Sequence, residues 1–146
     1  MRLAIITVSD SVVNGKREDT SGAVIAGWAR AKKFHLLSSS VCEDDTVEIV
    51  RALLHACDAD NADLVLTTGG TGLAERDVTP EATRAVIERE AQGVAERIRV
   101  LALQKFPRAA LSRGVAGVRG RTLIVNLPGS PSGSESWRCR NSRAQP

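Results

Sequence analysis

Thr67 to Thr83 read TTGGTGLAERDVTPEAT, directly after the apolar run Leu64, Val65, Leu66. A connection from strand to helix ordinarily takes about two to six polar residues and one turn former. Here a strand with a buried character empties into three glycines, three hydroxyls and a Glu-Arg-Asp cluster before a helix begins. Glycine permits close backbone approach, and successive exposed N–H groups form a concavity that suits anions. The threonine hydroxyls add donors that can turn to meet an oxyanion. Neither GxxxxGK[ST] nor a GxGxxG after the first strand is present, which counts against P-loop hydrolysis and redox dinucleotides. The plainer reading is that Gly69, Gly70 and Gly72 only make a tight turn.

Outward from that loop, the chain alternates strand and helix. Arg2 to Ser9 reads as a strand buried on both faces, followed by a polar loop, Asp10 to Asp19. Thr20 or Ser21 is placed to cap a helix that carries Val24, Ile25 and Trp28 and runs to about Lys33. His35 to Cys42 fits a weaker second strand, and Glu43 to Thr46 offers caps for a helix with Val47, Val50, Leu54 and Cys57 on one stripe. Asp63 to Thr68 is the third strand. Beyond the glycine loop, Thr79 is expected to cap a helix with Pro80 at its first position and Glu81 against its dipole. Val86, Ile87, Val94, Ile98 and Leu101 continue it to Pro107, with a break expected near Gly93. Val115 to Val118 and Thr122 to Asn126 are short strands around Arg119-Gly120-Arg121. The pattern predicts a three-layer, doubly wound α/β fold, its sheet mainly parallel with helices on both faces.

Composition narrows the function. At 146 residues, 42% apolar and 25% charged, the chain suits one globular domain. Leu3 to Val8 is too short to span a bilayer and lacks a signal-peptide pattern, so a cytoplasmic protein without membrane contact is expected. Cys42, Cys57 and Cys139 have no CxxC spacing, which argues against a zinc knuckle or a disulfide framework. A net charge of +3 with 3% aromatics leaves no stacking platform for nucleic acid, so the basic residues point to phosphate.

Ligands of open α/β sheets bind beyond the carboxyl ends of the strands. Ser9-Asp10, Glu43-Asp44-Asp45, Thr67 to Asp77 and Asn126 to Ser132 each follow a predicted strand, so a parallel sheet would gather all four at one edge. Magnesium prefers one or two carboxylates plus substrate phosphates, which makes Asp10, Asp44 and Asp77 its candidates. Arg113, Arg119 and Arg121 could neutralise phosphate charge. Taken singly, Asp44 could be only an N-cap, Asp77 only a charge ahead of a helix, and each arginine only a solvated side chain.

TTGGTGLAERDVTPEAT resembles the signature of the molybdopterin-binding family, which includes the Mog and MoaB type adenylyltransferases and the gephyrin G domains. TVSDSVVNGKREDTSG (Thr7 to Gly22), VCEDD (Val41 to Asp45), IERE (Ile87 to Glu90) and LSRGVAGVRGRTLIVNLPGSP (Leu111 to Pro131) extend the resemblance in family order. It implies transfer of AMP from ATP to the molybdopterin phosphate with Mg2+, in a homotrimer. It also implies that Asp44 and Asp77 are the catalytic, metal-positioning acids. Thr68, Gly69, Gly70, Thr71 and Gly72 would then cradle pterin or nucleotide. Ser9, Asp10, Ser112, Arg113, Asn126, Pro128, Gly129 and Ser130 would complete the pocket. The alternative is a molybdopterin-binding or assembly module of the same family without catalysis.

The resemblance assigns residues 1–131 to the domain and leaves 132–146 as an atypical polar tail. The tail ends GSESWRCRNSRAQP, where the family's apolar C-terminal helix cannot be read. The expectation is an altered terminus, for instance from a reading-frame change, with subunit contacts compensating in part for the helix.

Overall fold

Every residue from Leu3 to Val8 is buried, as befits a β-branched and aliphatic strand with helices on both sides. This strand, β1 (Arg2–Val8), lies one strand in from the edge of a six-stranded sheet in the computed structural model, which describes residues 1–129. The elements that follow are α1 (Asp10–Val13), α2 (Thr20–Ala31), β2 (His35–Cys42), α3 (Thr46–Leu54), β3 (Leu64–Thr68) and α4 (Thr79–Val86). Then come β4 (Arg89–Glu90), α5 (Gln92–Leu103), a 3-10 turn (Pro107–Leu111), β5 (Ala116–Arg119) and β6 (Thr122–Leu127). The strand order is β2-β1-β3-β6-β5-β4. β2, β1, β3 and β6 run parallel, while β5 turns back antiparallel on β6 and carries β4 at the edge.

Alternation along the strands divides the core in two. Ala4, Ile6, Val65 and Ile124 face Ile49 and Leu53 of α3 and Ala82 and Val86 of α4. Leu3, Ile5, Leu66 and Val125 face Ile25 and Ala29 of α2, with Ala95 and Ile98 of α5 packed alongside. The expected three-layer α/β architecture is therefore present. No helix among the described residues is long and apolar enough to cross a membrane. The expectation for the C-terminal tail falls outside the described residues.

Local details depart from the sequence reading for identifiable reasons. The loop after β1 contains the short α1, capped by the Ser9 hydroxyl at 3.3 Å from the Val12 N–H. Asp19, not Thr20 or Ser21, caps α2, because its carboxylate accepts both the Gly22 N–H and the Thr7 hydroxyl at 2.8 Å. The buried stripe of α3 is Ile49 and Leu53, whereas Val47 is 61% exposed. The helix after the glycine loop ends at Val86, earlier than the break expected near Gly93, since Ile87 takes an extended conformation. Glu88 and Ala91 then donate their N–H groups to Val118 and Ala116, which makes IERE an edge strand. Gly117 permits that approach: a Cβ there would meet the Arg89 carbonyl oxygen at 2.7 Å.

Candidate active site

β3 delivers the chain into two residues that need positive φ, Gly69 at +98° and Gly70 at +67°. A Cβ on Gly69 would strike the Val8 carbonyl oxygen, and one on Gly70 would strike the Thr79 hydroxyl and stand 3.3 Å from Asp44 Oδ1. Glycine is required by space as well as by torsion. The turn is then fastened from several sides. Thr79 Oγ1 donates to the Gly69 carbonyl at 2.9 Å and Thr79 N–H to that of Gly70 at 3.1 Å. The sequence marks Thr79 as the cap of α4, but Val78 holds that position and the buried hydroxyl pins the loop. Arg113 staples the far side, donating from Nε to the Gly72 carbonyl at 2.8 Å and from Nη2 to that of Asp77 at 2.7 Å, while pairing with Glu81.

The acids form a chain of contacts behind the glycines. Asp10 N–H donates to Asp44 Oδ2 at 2.8 Å, and Asp44 N–H returns to Asp10 Oδ1 at 3.0 Å. Arg76 grips both Asp10 oxygens, at 2.6 and 3.1 Å, and holds that carboxyl below the usual range. Asp44 shifts the other way. Burial raises it, and the negative charges of Asp10 and Asp77 add to the rise against the Asp10 N–H that opposes it. Asp44 is not the cap of α3, because Asp45 accepts the Val47 and Glu48 N–H groups. Asp77 closes its own turn by accepting the Ala74 N–H at 3.0 Å.

Two clefts meet at this loop. A polar one of about 450 Å³ reaches Ser9, Arg17, Ser21, Asp44, Thr68 and Gly69. A larger, mostly apolar one of about 750 Å³ reaches Thr71, Gly72, Phe106, Leu111, Ser112 and Pro128. Gly70, Asp77 and Gly129 line both. The expected edge thus assembles as the parallel topology requires.

Several expected residues stand elsewhere. Asp10 braces Asp44 and Arg113 braces the loop. Asn126 is 4% exposed, and its amide is committed to the Thr67 and Thr83 hydroxyls and the Val115 N–H, so it fastens β3 and α4 to the β6 hairpin. Arg119 pairs with Asp58, and Arg121 lines a separate cleft with Arg2 and Asp63, where β1 and β3 begin. Neither belongs to the glycine-loop edge. Ser130 lies outside the described residues. Sequence reasoning gave no site role to Arg17, Asp19, Ser21, Arg76, Phe106 or the Pro107–Leu111 turn. Asp19 ahead of a helix was a readable capping signal; the others become visible only when the loops converge.

An open α/β sheet with a glycine loop between a polar and an apolar cleft at the carboxyl ends of its strands has the form of a ligand-binding domain. The chain matches the family described as a probable molybdopterin binding domain over residues 4–138, and it belongs to that family. A molybdopterin adenylyltransferase of Helicobacter pylori (strain J99) is 38% identical over 136 residues, covering 90% of this chain and 76% of that protein. The molybdopterin adenylyltransferase of Escherichia coli (strain K12) is 39% identical over 134 residues, covering 90% and 68%. Among solved structures, the molybdopterin biosynthesis enzyme MoaB of Thermus thermophilus superposes with a TM-score of 0.88 at 48% identity, covering 93% of this chain and 86% of that one.

Proposed function

We propose that this chain is a molybdopterin adenylyltransferase of molybdenum cofactor biosynthesis, moving AMP from ATP to the molybdopterin phosphate and releasing pyrophosphate. The observation that carries the reading is the meeting of a polar and an apolar cleft at Gly70 and Asp77, beside Asp44, whose carboxyl is raised by burial and then by its acidic neighbours. Two substrates that each join a ring system to phosphate need two such clefts with one shared rim. The names of the relatives support the same reaction.

The residues divide the work. The glycine loop from Gly70 to Gly72 holds phosphate oxygens through its N–H groups, on a floor that Thr68 fixes by donating its buried hydroxyl to the Pro128 carbonyl at 2.8 Å. An oxygen of the molybdopterin phosphate attacks the α-phosphorus, the bond to the β-phosphate bridging oxygen breaks, and the electron pair leaves with pyrophosphate. The attacking phosphate is already ionised, so positioning and charge neutralisation dominate over base catalysis. Among the described residues no group of three or more His, Cys, Asp or Glu side chains is arranged as a metal cage. Asp44 and Asp77, both at the polar cleft and mutually repulsive, nevertheless fit an ion whose remaining ligands come from substrate. A magnesium ion held there would neutralise charge on the transferring group.

We further propose a cytoplasmic homotrimer. An apolar groove along Leu64, Leu66, Val94, Leu101 and Leu127, between α5 and the sheet, supports an association that would cover it. Sedimentation velocity tests the assembly, and a monomer would remove it. For the reaction, protein is incubated with molybdopterin, ATP and Mg2+. Adenylylated pterin and equimolar pyrophosphate are expected, with Asp44→Ala and Asp77→Ala each losing about a hundredfold or more in turnover. Tight pterin binding without turnover would instead leave a non-catalytic assembly module.

A further inference from the structure

The polar cleft is lined by Glu18, Asp19, Asp44 and Asp77, an excess of negative charge for a site that receives phosphate. The arginines nearest the glycine loop are engaged, Arg76 on Asp10 and Arg113 on the Gly72 and Asp77 carbonyls and Glu81. Arg119 and Arg121 stand where β1 and β3 begin, at the other end of the sheet. Arg17 differs from all of these. It lines the polar cleft, and its guanidinium has no ion pair or hydrogen bond among the described residues.

The backbone that presents the exposed Arg17 side chain is fixed. Its N–H donates to the Ser11 carbonyl at 3.2 Å, and Lys16 N–H reaches the same oxygen at 2.9 Å, which folds the loop against α1. Asp19, just beyond it, is tied to Thr7 of β1 and caps α2. A guanidinium is permanently charged and presents a planar fork that pairs two oxygens of one phosphate, whereas glycine N–H groups and threonine hydroxyls offer only dipoles.

We infer that Arg17 receives a substrate phosphate in the polar cleft and is a binding and specificity-determining residue for the transfer proposed above. The assignment rests on that reading for the identity of its ligands. A nucleotide triphosphate and a pterin phosphate monoester present the same oxyanion to the fork, so the test separates them.

Full-length wild type, Arg17→Gln, Arg17→Lys and Lys16→Gln are titrated calorimetrically, in one arm with magnesium and a non-hydrolysable ATP analogue, in the other with molybdopterin alone. Lys16 carries a neighbouring charge but does not line the cleft. Arg17→Gln is expected to weaken at least one ligand by about tenfold to a hundredfold. Arg17→Lys should recover part of the loss, and Lys16→Gln should stay within about twofold of wild type. The affected ligand then identifies the occupant of the polar cleft, and losses for both place Arg17 between the two phosphates.

Unchanged affinity for both ligands in Arg17→Gln overturns the assignment, as do equal losses in Arg17→Gln and Lys16→Gln, which would mark a diffuse field. If Arg17→Gln does not fold, Arg17→Lys carries the test, with a several-fold loss expected and wild-type affinity contradicting it. A wild type that binds neither ligand defeats the adenylyltransferase reading and this inference with it. Binding by the wild type that Arg17→Gln leaves intact defeats the inference alone.

Discussion

Gly70 shows how little freedom a single residue of the loop retains. Alanine there would meet a positive φ and the Thr79 hydroxyl together. Gly70→Ala should therefore cost about 1–3 kcal/mol, read from the urea midpoint, and an unchanged midpoint would contradict the packing described. Asp44 makes the opposite prediction. Its carboxyl is raised in the folded protein, so its contribution is fully present below the ordinary carboxylate range and is lost as pH rises through the raised value. In metal-free buffer Asp44→Asn, which keeps an oxygen for the Asp10 N–H, should melt about 1–2 °C higher at neutral pH, a small gain because the group is partly exposed. The gain should vanish in acid. A lower midpoint at neutral pH would mean that burial and the neighbouring acids do not penalise the Asp44 carboxylate. Activity and stability pull apart at this position, as is common where a site gathers like charges.

Elements enter the site through their ends. α2 begins at the polar cleft and is fixed by Asp19, which joins its first turn to β1 through Thr7. Asp19→Ala should cost about 1–2 kcal/mol and loosen that corner. Thermal melts measure the cost, and a loss of only a few tenths would show that water replaces the carboxylate. The segment from Thr71 to Asp77 is not regular structure, and Arg113 gives it shape by gripping carbonyls at both of its ends. Arg113→Lys, which retains charge but lacks the fork, should speed hydrogen exchange of the loop amides and lower kcat/KM by about tenfold. Exchange rates equal to wild type would assign the shape to the glycines alone.

Across the molecule, the parallel run β2-β1-β3-β6 brings the ends of four strands together, and the two clefts of the candidate site lie where their loops meet. The site has no cage of its own for a cation among the described residues. Chelation should accordingly abolish turnover while leaving the melting midpoint of ligand-free protein unchanged. A large drop in that midpoint with EDTA would mean that a resident ion supports the fold. Adding Mg2+ and ATP together should raise the midpoint, by about 2.7 kcal/mol of linkage at a hundredfold excess over Kd.

The order of the main strands and helices, the bounds of β2, the parallel core and the glycine loop are legible in the chain before it folds, whereas α1 and the edge strand β4 are not. The legible features depend on apolar period, turn formers and β-branching, which near neighbours in the chain settle. The edge is legible too, because parallel strands force their following loops to one side. The partners of individual side chains emerge only on folding. Asn126 turns into a buried network, Thr79 pins the loop, Arg119 joins Asp58 at the far end, and Arg17 is left facing the polar cleft. The reason is physical: a polar group's role is set by whichever distant donor or acceptor packing places within hydrogen-bond reach, and no local pattern encodes that distance.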